Sequence, residues 1–309
     1  TWRPVTDYNM SLQHAEFTFI YPPELQSNRK EIRVAVKSTE TRKDGKIADT
    51  WEIINMKAFE EEPFDVSLSE RIPAVYLMPK ELIYDNYKAK VATWEEYGKW
   101  INLLYSGKSE LSEAEKPKVE LLLKDVTDTI QRIKTLYKYM QDNTRYVAIT
   151  LGIGGYQPFD AETVFETGYG DCKALSNYMH TLLKFSGIES FPALVAAGRY
   201  IVSIFPEFPN FQQFNHVILC VPVRMDTIWL ECTSQTAPFG FLGDFTDNRQ
   251  VLLITKDGGK FSQTKKYEAS QNLRESYSII SVDSMGTAMC SLKTTYRGLQ
   301  YDDIYSVLL

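Results

Sequence analysis

Apolar and polar positions alternate with a period of two through the first part of this chain and repeat with a helical period through its middle. The runs Ala15-Glu-Phe-Thr-Phe-Ile-Tyr21, Glu31-Ile-Arg-Val-Ala-Val36, Ile47-Ala-Asp-Thr-Trp-Glu-Ile-Ile54 and Ala74-Val-Tyr-Leu77 predict strands, followed by an extended stretch from Lys80 to Val91. Asp44-Gly45 predicts a hairpin turn between two of them. Short strands with such turns predict a β-rich N-terminal domain over residues 1–106, arranged as a β-sandwich.

Helical patterning then takes over. Thr93-Trp-Glu-Glu96 is a capping box that opens a helix through Tyr105, with Gly107 as its stop. Val119-Glu-Leu-Leu-Leu123 and a stripe of Ile130, Ile133, Tyr137 and Met140 predict two further core-facing helices. A fourth follows Cys172, carrying Leu175, Met179, Leu182 and Leu183 and stopping at Gly187. Phe214–Val221 and Ile228–Thr233 read as two strands of a hairpin around the polar turn Arg224-Met-Asp-Thr227. The expected core therefore spans residues 107–264. Glu275–Ser281 and Thr287–Leu292 begin a C-terminal β region over 265–309, which reads as cut through at Leu309.

Composition narrows the function. The 309 residues are 44% hydrophobic and 13% aromatic, enough for two domains with real cores. A formal net charge of −6 without a basic cluster argues against nucleic-acid partners. No run approaches the roughly 20 apolar residues needed for a membrane span, and no signal peptide is read at Thr1-Trp-Arg. Cys172, Cys220, Cys232 and Cys290 show no Cys-x-x-Cys spacing, so no metal site is expected. Cys220 and Cys232 fall on opposite faces of the hairpin and read as packing residues, not a disulfide.

The most informative stretch is Gly168-Tyr-Gly-Asp-Cys172-Lys173. It sets a cysteine at a helix N-terminus, where free N–H groups and the helix dipole stabilise a thiolate. Gly168 and Gly170 permit a sharp turn and leave room for a substrate beside the sulfur. A cysteine on this inward helix face could equally serve only to pack.

A nucleophilic thiol needs a base, and the chain has three histidines. His180 lies eight residues along the same helix, roughly 12 Å away at about 1.5 Å per residue. His14 lies in the distant N-terminal segment. His216 sits in the first hairpin strand, Phe214–Val221. A tight turn centred on residues 225 and 226 pairs positions of odd sum, and His216 and Glu231 also sum to an odd number, so they share a face. Their direct opposition would require a shifted register or a bulge. A carboxylate there would fix the imidazole tautomer; alternatively, Glu231 is an ordinary exposed acid.

Gly-Tyr-Gly-Asp-Cys-Lys, Ser186-Gly-Ile-Glu-Ser-Phe-Pro-Ala-Leu-Val195, Phe-Asn-His-Val and Trp-Leu-Glu-Cys-Thr, in this order from Arg145 to Ile254, resemble the transglutaminase-like superfamily. The resemblance implies an α+β, papain-like core with Cys172 as nucleophile, His216 as general base and Glu231 as orienting acid. The chain departs from the family at Glu231, where Asp is usual, and at Cys232, where Pro is usual. Arg145–Pro158 resembles the segment leading into bacterial members of the superfamily. Substrate or oxyanion contacts are expected from Gln157, Gly170 and Asp171, beside the simpler donor, the Cys172 backbone N–H. Gln157 could instead fix a turn before Pro158, and Asp171 could be the helix cap.

The N-terminal segment, through Trp51-Glu-Ile-Ile-Asn55 and the domain order, resembles a β domain that precedes such cores in bacterial envelope proteins. The resemblance implies acyl chemistry on amide bonds through a thioester, with peptide or protein substrates and no cofactor. Hydrolysis of peptide-like amides is favoured over transamidation. It also implies a periplasmic or cell-envelope location. A different class, a non-catalytic envelope binding protein that keeps the fold as scaffold, stays open at this point.

Overall fold

The alternating runs of the N-terminal part pair into small antiparallel sheets in the computed structural model, which describes residues 1–63, 65–198, 203–224 and 226–307. The elements are β1 (Leu12–Tyr21), β2 (Ser27–Ile32), β3 (Ser38–Thr41), β4 (Ile47–Met56), the one-turn helix α1 (Leu68–Arg71), β5 (Ala74–Pro79), β6 (Glu81–Tyr84) and β7 (Tyr87–Lys90). One sheet has the order β1-β4-β3, a second pairs β2 with β5, and β6 and β7 form a hairpin. The strand expected over 31–36 ends at Ile32, because Arg33 turns the backbone at φ 50°. The turn at Asp44-Gly45 joins β3 to β4, with Gly45 at φ 79°. Trp51 anchors this part: its ring is fully buried, stacks on Phe17 at 5.6 Å, and donates its N–H to Glu31 Oε1 at 2.8 Å.

The central part is helical on one side and sheet on the other. In chain order it comprises α2 (Trp94–Tyr105), α3 (Lys116–Leu123), α4 (Thr129–Asn143), β8 (Arg145–Tyr146), α5 (Ala161–Thr167), β9 (Tyr169–Gly170), α6 (Cys172–Phe185), β10 (Phe191–Val195), β11 (His216–Val223), β12 (Asp226–Leu230), α7 (Gly243–Thr246), β13 (Gln250–Thr255) and β14 (Gly258–Gln263). The last five strands make an antiparallel sheet in the order β12-β11-β10-β13-β14. Alternation along these strands sorts the residues by face. Leu219, Val221 and Leu230 meet Leu175, Met179 and Leu182 of α6, and Leu194, Val217, Leu252 and Ile254 meet Trp94, Tyr97, Ile101 and Leu104 of α2. Ile218, Cys220, Trp229 and Val251 pack together on the reverse.

Cys220 and Cys232 therefore sit in different hydrophobic clusters, and all four cysteines are free thiols. On α4, Ile133, Leu136, Tyr137 and Met140 are buried, whereas Ile130 of the expected stripe is exposed along an open groove beside Val223 and Ile228. Among the described residues no helix is long and apolar enough to cross a membrane.

The C-terminal β expectation holds for one hairpin, β15 (Arg274–Val282) with β16 (Ala288–Tyr296). It fails from Gly298, where the chain turns at φ 58° into a 3-10 helix over Gly298–Val307, begun by a bond from Leu299 N–H to Asn272 Oδ1. Leu309 lies outside the described residues.

The capping box at Thr93 forms as read, with Glu96 N–H donating to Thr93 Oγ1 at 3.1 Å. The helix it opens, α2, lies within residues 1–106 yet packs on β13 and β14 of the core sheet, backbone against backbone. A Cβ on Gly98 would stand 1.9 Å from Gly259 N. Gly98→Ala is expected to destabilise the protein by about 3 kcal/mol. Gly154→Ala, with nothing within 4 Å of its Cβ, is expected to stay within about 0.5 kcal/mol of wild type. Urea unfolding of the two variants compares them.

Candidate active site

The cysteine stands where the sequence places it. α5 ends at Gly168, whose φ of 67° turns the chain into the two-residue strand β9, and α6 starts at Cys172. Arg145 N–H and Val147 N–H bond the carbonyls of Gly168 and Gly170, tying this approach to the segment after α4. Gly170 lies where β9 meets α6. A Cβ there would meet the Ala174 Cβ at 2.8 Å, so its missing side chain lets β9 lie against α6.

Asp171 is the N-cap. One oxygen accepts from Ala174 N–H at 3.0 Å, and the other pairs with the buried ammonium of Lys173. Gln157 is likewise committed. Its amide N–H groups reach the Tyr87 hydroxyl at 3.2 Å and the Leu104 carbonyl at 3.3 Å, tying its loop to α2. The backbone N–H of Cys172 stands at the first position of α6.

His216 and Glu231 meet. The hairpin register pairs Leu219 with Leu230 and Val223 with Asp226, so the turn is Arg224–Met225, one residue earlier than read from the sequence. Arg224 adopts φ 48°, and Met225 lies outside the described residues. In this register His216 and Glu231 are diagonal neighbours on one face, just beyond the last paired rung. His216 Nε2 is 2.8 Å from Glu231 Oε2. The other carboxylate oxygen accepts from Thr233 N–H at 2.9 Å and Thr233 Oγ1 at 2.6 Å. The carboxylate is buried and fully used, which excludes the exposed-acid alternative.

Burial alone would discharge both groups, but their proximity reverses the outcome. Desolvation lowers the imidazole pKa, yet the Glu231 charge and hydrogen bonds with the Cys172 thiol and Glu231 push it up to about 10. Desolvation raises the Glu231 pKa, and the His216 charge with the His216 and Thr233 hydrogen bonds hold it below the usual carboxylate range. With Nε2 on Glu231, Nδ1 is the ring nitrogen left for the sulfur. The Phe245 ring stands edge-on to the imidazole at 5.3 Å.

The other histidines are elsewhere. His14 bonds Glu52 on the β1–β4 sheet at 3.1 Å. His180 Nδ1 meets Ser190 Oγ at 2.8 Å, and burial with the nearby Lys184 charge brings its pKa down to about 4. His14, Glu16 and Glu52 bring metal-ligand atoms within 4.8 Å of one another, but Lys37 already pairs with Glu52 and none of the three belongs to the Cys172 site.

Several supporting residues had no local signal in the sequence. Tyr137 Oη donates to the Glu231 carbonyl at 2.7 Å, and Gln141 Nε2 donates to the carbonyls of Ser234 and Ala237 at 2.8 and 3.0 Å. These two, one turn apart on α4, hold the segment that carries the acid. Tyr146 is paired in register with Gly170, and burial first, then the charges of Cys172, Asp171 and Glu231, raise its pKa. Cys172 packs against a hydrophobic cluster that includes Trp94, Tyr97, Trp100 and Tyr105 of α2.

Residues 119–205, which include Cys172 but neither His216 nor Glu231, match the core of the transglutaminase-like superfamily. A solved structure from Parabacteroides distasonis, described provisionally as a protease, superposes with a TM-score of 0.61 at 14% identity over 84% of this chain and 46% of its own. The chain thus spans about half the length of that relative. A second, from Cytophaga hutchinsonii and described provisionally as a cysteine protease, gives a TM-score of 0.34 at 10% identity over 96% of this chain and 82% of its own. No curated protein matches the chain.

The pair makes a pH-dependent contribution to stability. The folded His216 pKa lies above its ordinary 6.5, so this contribution is full below about 6.5 and is lost as pH rises through about 10. Wild type is expected to lose thermal stability across that window, and Glu231→Gln to flatten the dependence. Melting curves from pH 6 to 10.5 test this.

Proposed function

The core of this chain is that of the transglutaminase-like superfamily, and on that premise we propose that it carries out thiol-dependent acyl transfer on amide bonds, ending in hydrolysis of peptide-like amides. The observation that carries the reading is the Cys172–His216–Glu231 constellation at the start of α6. The thiol proton moves to His216 Nδ1, and the sulfur attacks the carbonyl carbon. The tetrahedral oxyanion meets the Cys172 backbone N–H at the helix N-terminus. His216 returns its proton to the departing amine as the C–N bond breaks, which leaves a thioester. His216 then takes a proton from water, the hydroxide attacks the thioester, and the sulfur leaves as the acid is released. Glu231 keeps Nε2 protonated and steadies the imidazolium throughout.

The surroundings of the other thiols support this assignment. Burial pushes the Cys220 pKa up to about 12, and burial with the Glu231 charge raises that of Cys232. Cys290 is exposed on β16, outside the core. Iodoacetamide at pH 6 is expected to alkylate Cys172 ahead of the more exposed Cys290, as read by peptide mass spectrometry. Equal labelling would return Cys172 to a packing role.

Incubation with an activated acyl ester should add the acyl mass to Cys172, and water should remove it. Cys172→Ala should form no adduct and melt as wild type. Glu231→Gln should lower turnover by about 10⁴, since the amide favours the wrong tautomer, while Glu231→Asp should retain part of the activity. Wild-type turnover in Glu231→Gln would remove the acid from the mechanism and leave a dyad.

A further inference from the structure

Tyr105, the last residue of α2, has a hydroxyl enclosed by protein with no hydrogen-bond partner. The residue is 7% exposed and belongs to the aromatic cluster against which Cys172 packs. Native structures rarely leave such a group unpaired, because burying an unsatisfied hydroxyl costs stability that phenylalanine would not. The backbone around it is fixed, since Leu104 O accepts from Gln157 and Tyr105 O from Lys108 N–H.

The negative centres around this phenol are few. Burial first, then the charges of Cys172, Asp171 and Tyr97, raise its pKa. Tyr97 is itself kept neutral by burial. The Asp171 oxygens are taken by Ala174 N–H and Lys173. Of these three groups only the sulfur gains negative charge during the proposed reaction, and the thiolate is a stronger acceptor than the thiol.

We propose that the Tyr105 hydroxyl is a reserved hydrogen-bond donor to the Cys172 thiolate, left unpaired in the resting enzyme so that it can stabilise the thiolate–imidazolium pair with His216. This rests on the acyl-transfer reading above, although the interaction itself needs no substrate. It also explains a tyrosine where an apolar wall would accept phenylalanine.

The test is Tyr105→Phe in the full chain, with iodoacetamide alkylation of Cys172 followed by mass spectrometry at pH 6 and pH 9.5, and a melting curve. At pH 6 the variant should react about tenfold more slowly than wild type, the loss of one charged hydrogen bond. At pH 9.5 the two rates should converge, and the melting temperature should be equal to or above that of wild type. Equal rates at both pH values would overturn the proposal. Equal slowing at both with a lowered melting temperature would assign Tyr105 to packing and overturn it as well. Turnover plays no part in this comparison, so absent hydrolysis with a pH-selective Tyr105→Phe effect would sink only the hydrolytic reading. Wild type without preferential labelling of Cys172 would sink both.

Discussion

The contact between His216 and Glu231 sets the terms for the rest of the site. Two ionisable groups are removed from water within one hairpin, a placement that is unfavourable unless each finds its partner and the remaining lone pairs are filled. The structure meets both conditions: Nε2 lies on one carboxylate oxygen, and the Thr233 backbone and hydroxyl lie on the other. A glutamate suits this place because the two positions are diagonal across the ladder, not opposite. Diagonal neighbours are roughly 7–8 Å apart, and the longer side chain spans the gap from just past the end of β12.

Cys172 is fixed by different physics. Its helix is buried along nearly its whole length, and the approach to it is locked by a glycine that admits no side chain and an aspartate that caps the first turn. Lys173 neutralises that aspartate inside the protein, so the cap adds no net charge beside the sulfur. The thiol therefore faces an electrostatic environment set mainly by the imidazolium and the helix terminus.

Much of this was legible in the sequence because it depends on local pattern. Strand alternation, the capping box at Thr93, the glycine-flanked cysteine and the parity of the hairpin all concern neighbours along the chain or across one turn. The parity argument survived a misplaced turn, since a shift of the turn by one residue changes the pairing sum by two and leaves the faces as they were. What was not legible depends on distant packing. Sequence left two readings open for Gln157 and Asp171, and only distant packing supplies their partners: Gln157 bonds Tyr87 and Leu104, Asp171 caps α6 and pairs with Lys173, and Gly170 lies against Ala174. The helix after Gly298 was hidden for a related reason: Asn272, far back in the chain, supplies the acceptor that starts it.

The anchoring of the acid by α4 has a consequence for how this fold can vary. Tyr137 and Gln141 grip backbone carbonyls of residues 231, 234 and 237, not their side chains. Every amino acid carries that carbonyl, so these grips on the loop after β12 do not depend on its side chains, whereas the Thr233 hydroxyl is tied to Glu231. The placing of Glu231 beside His216 thus depends on α4 reaching across to main-chain atoms, so a change in α4 would be felt at the pair even though neither Tyr137 nor Gln141 touches its side chains.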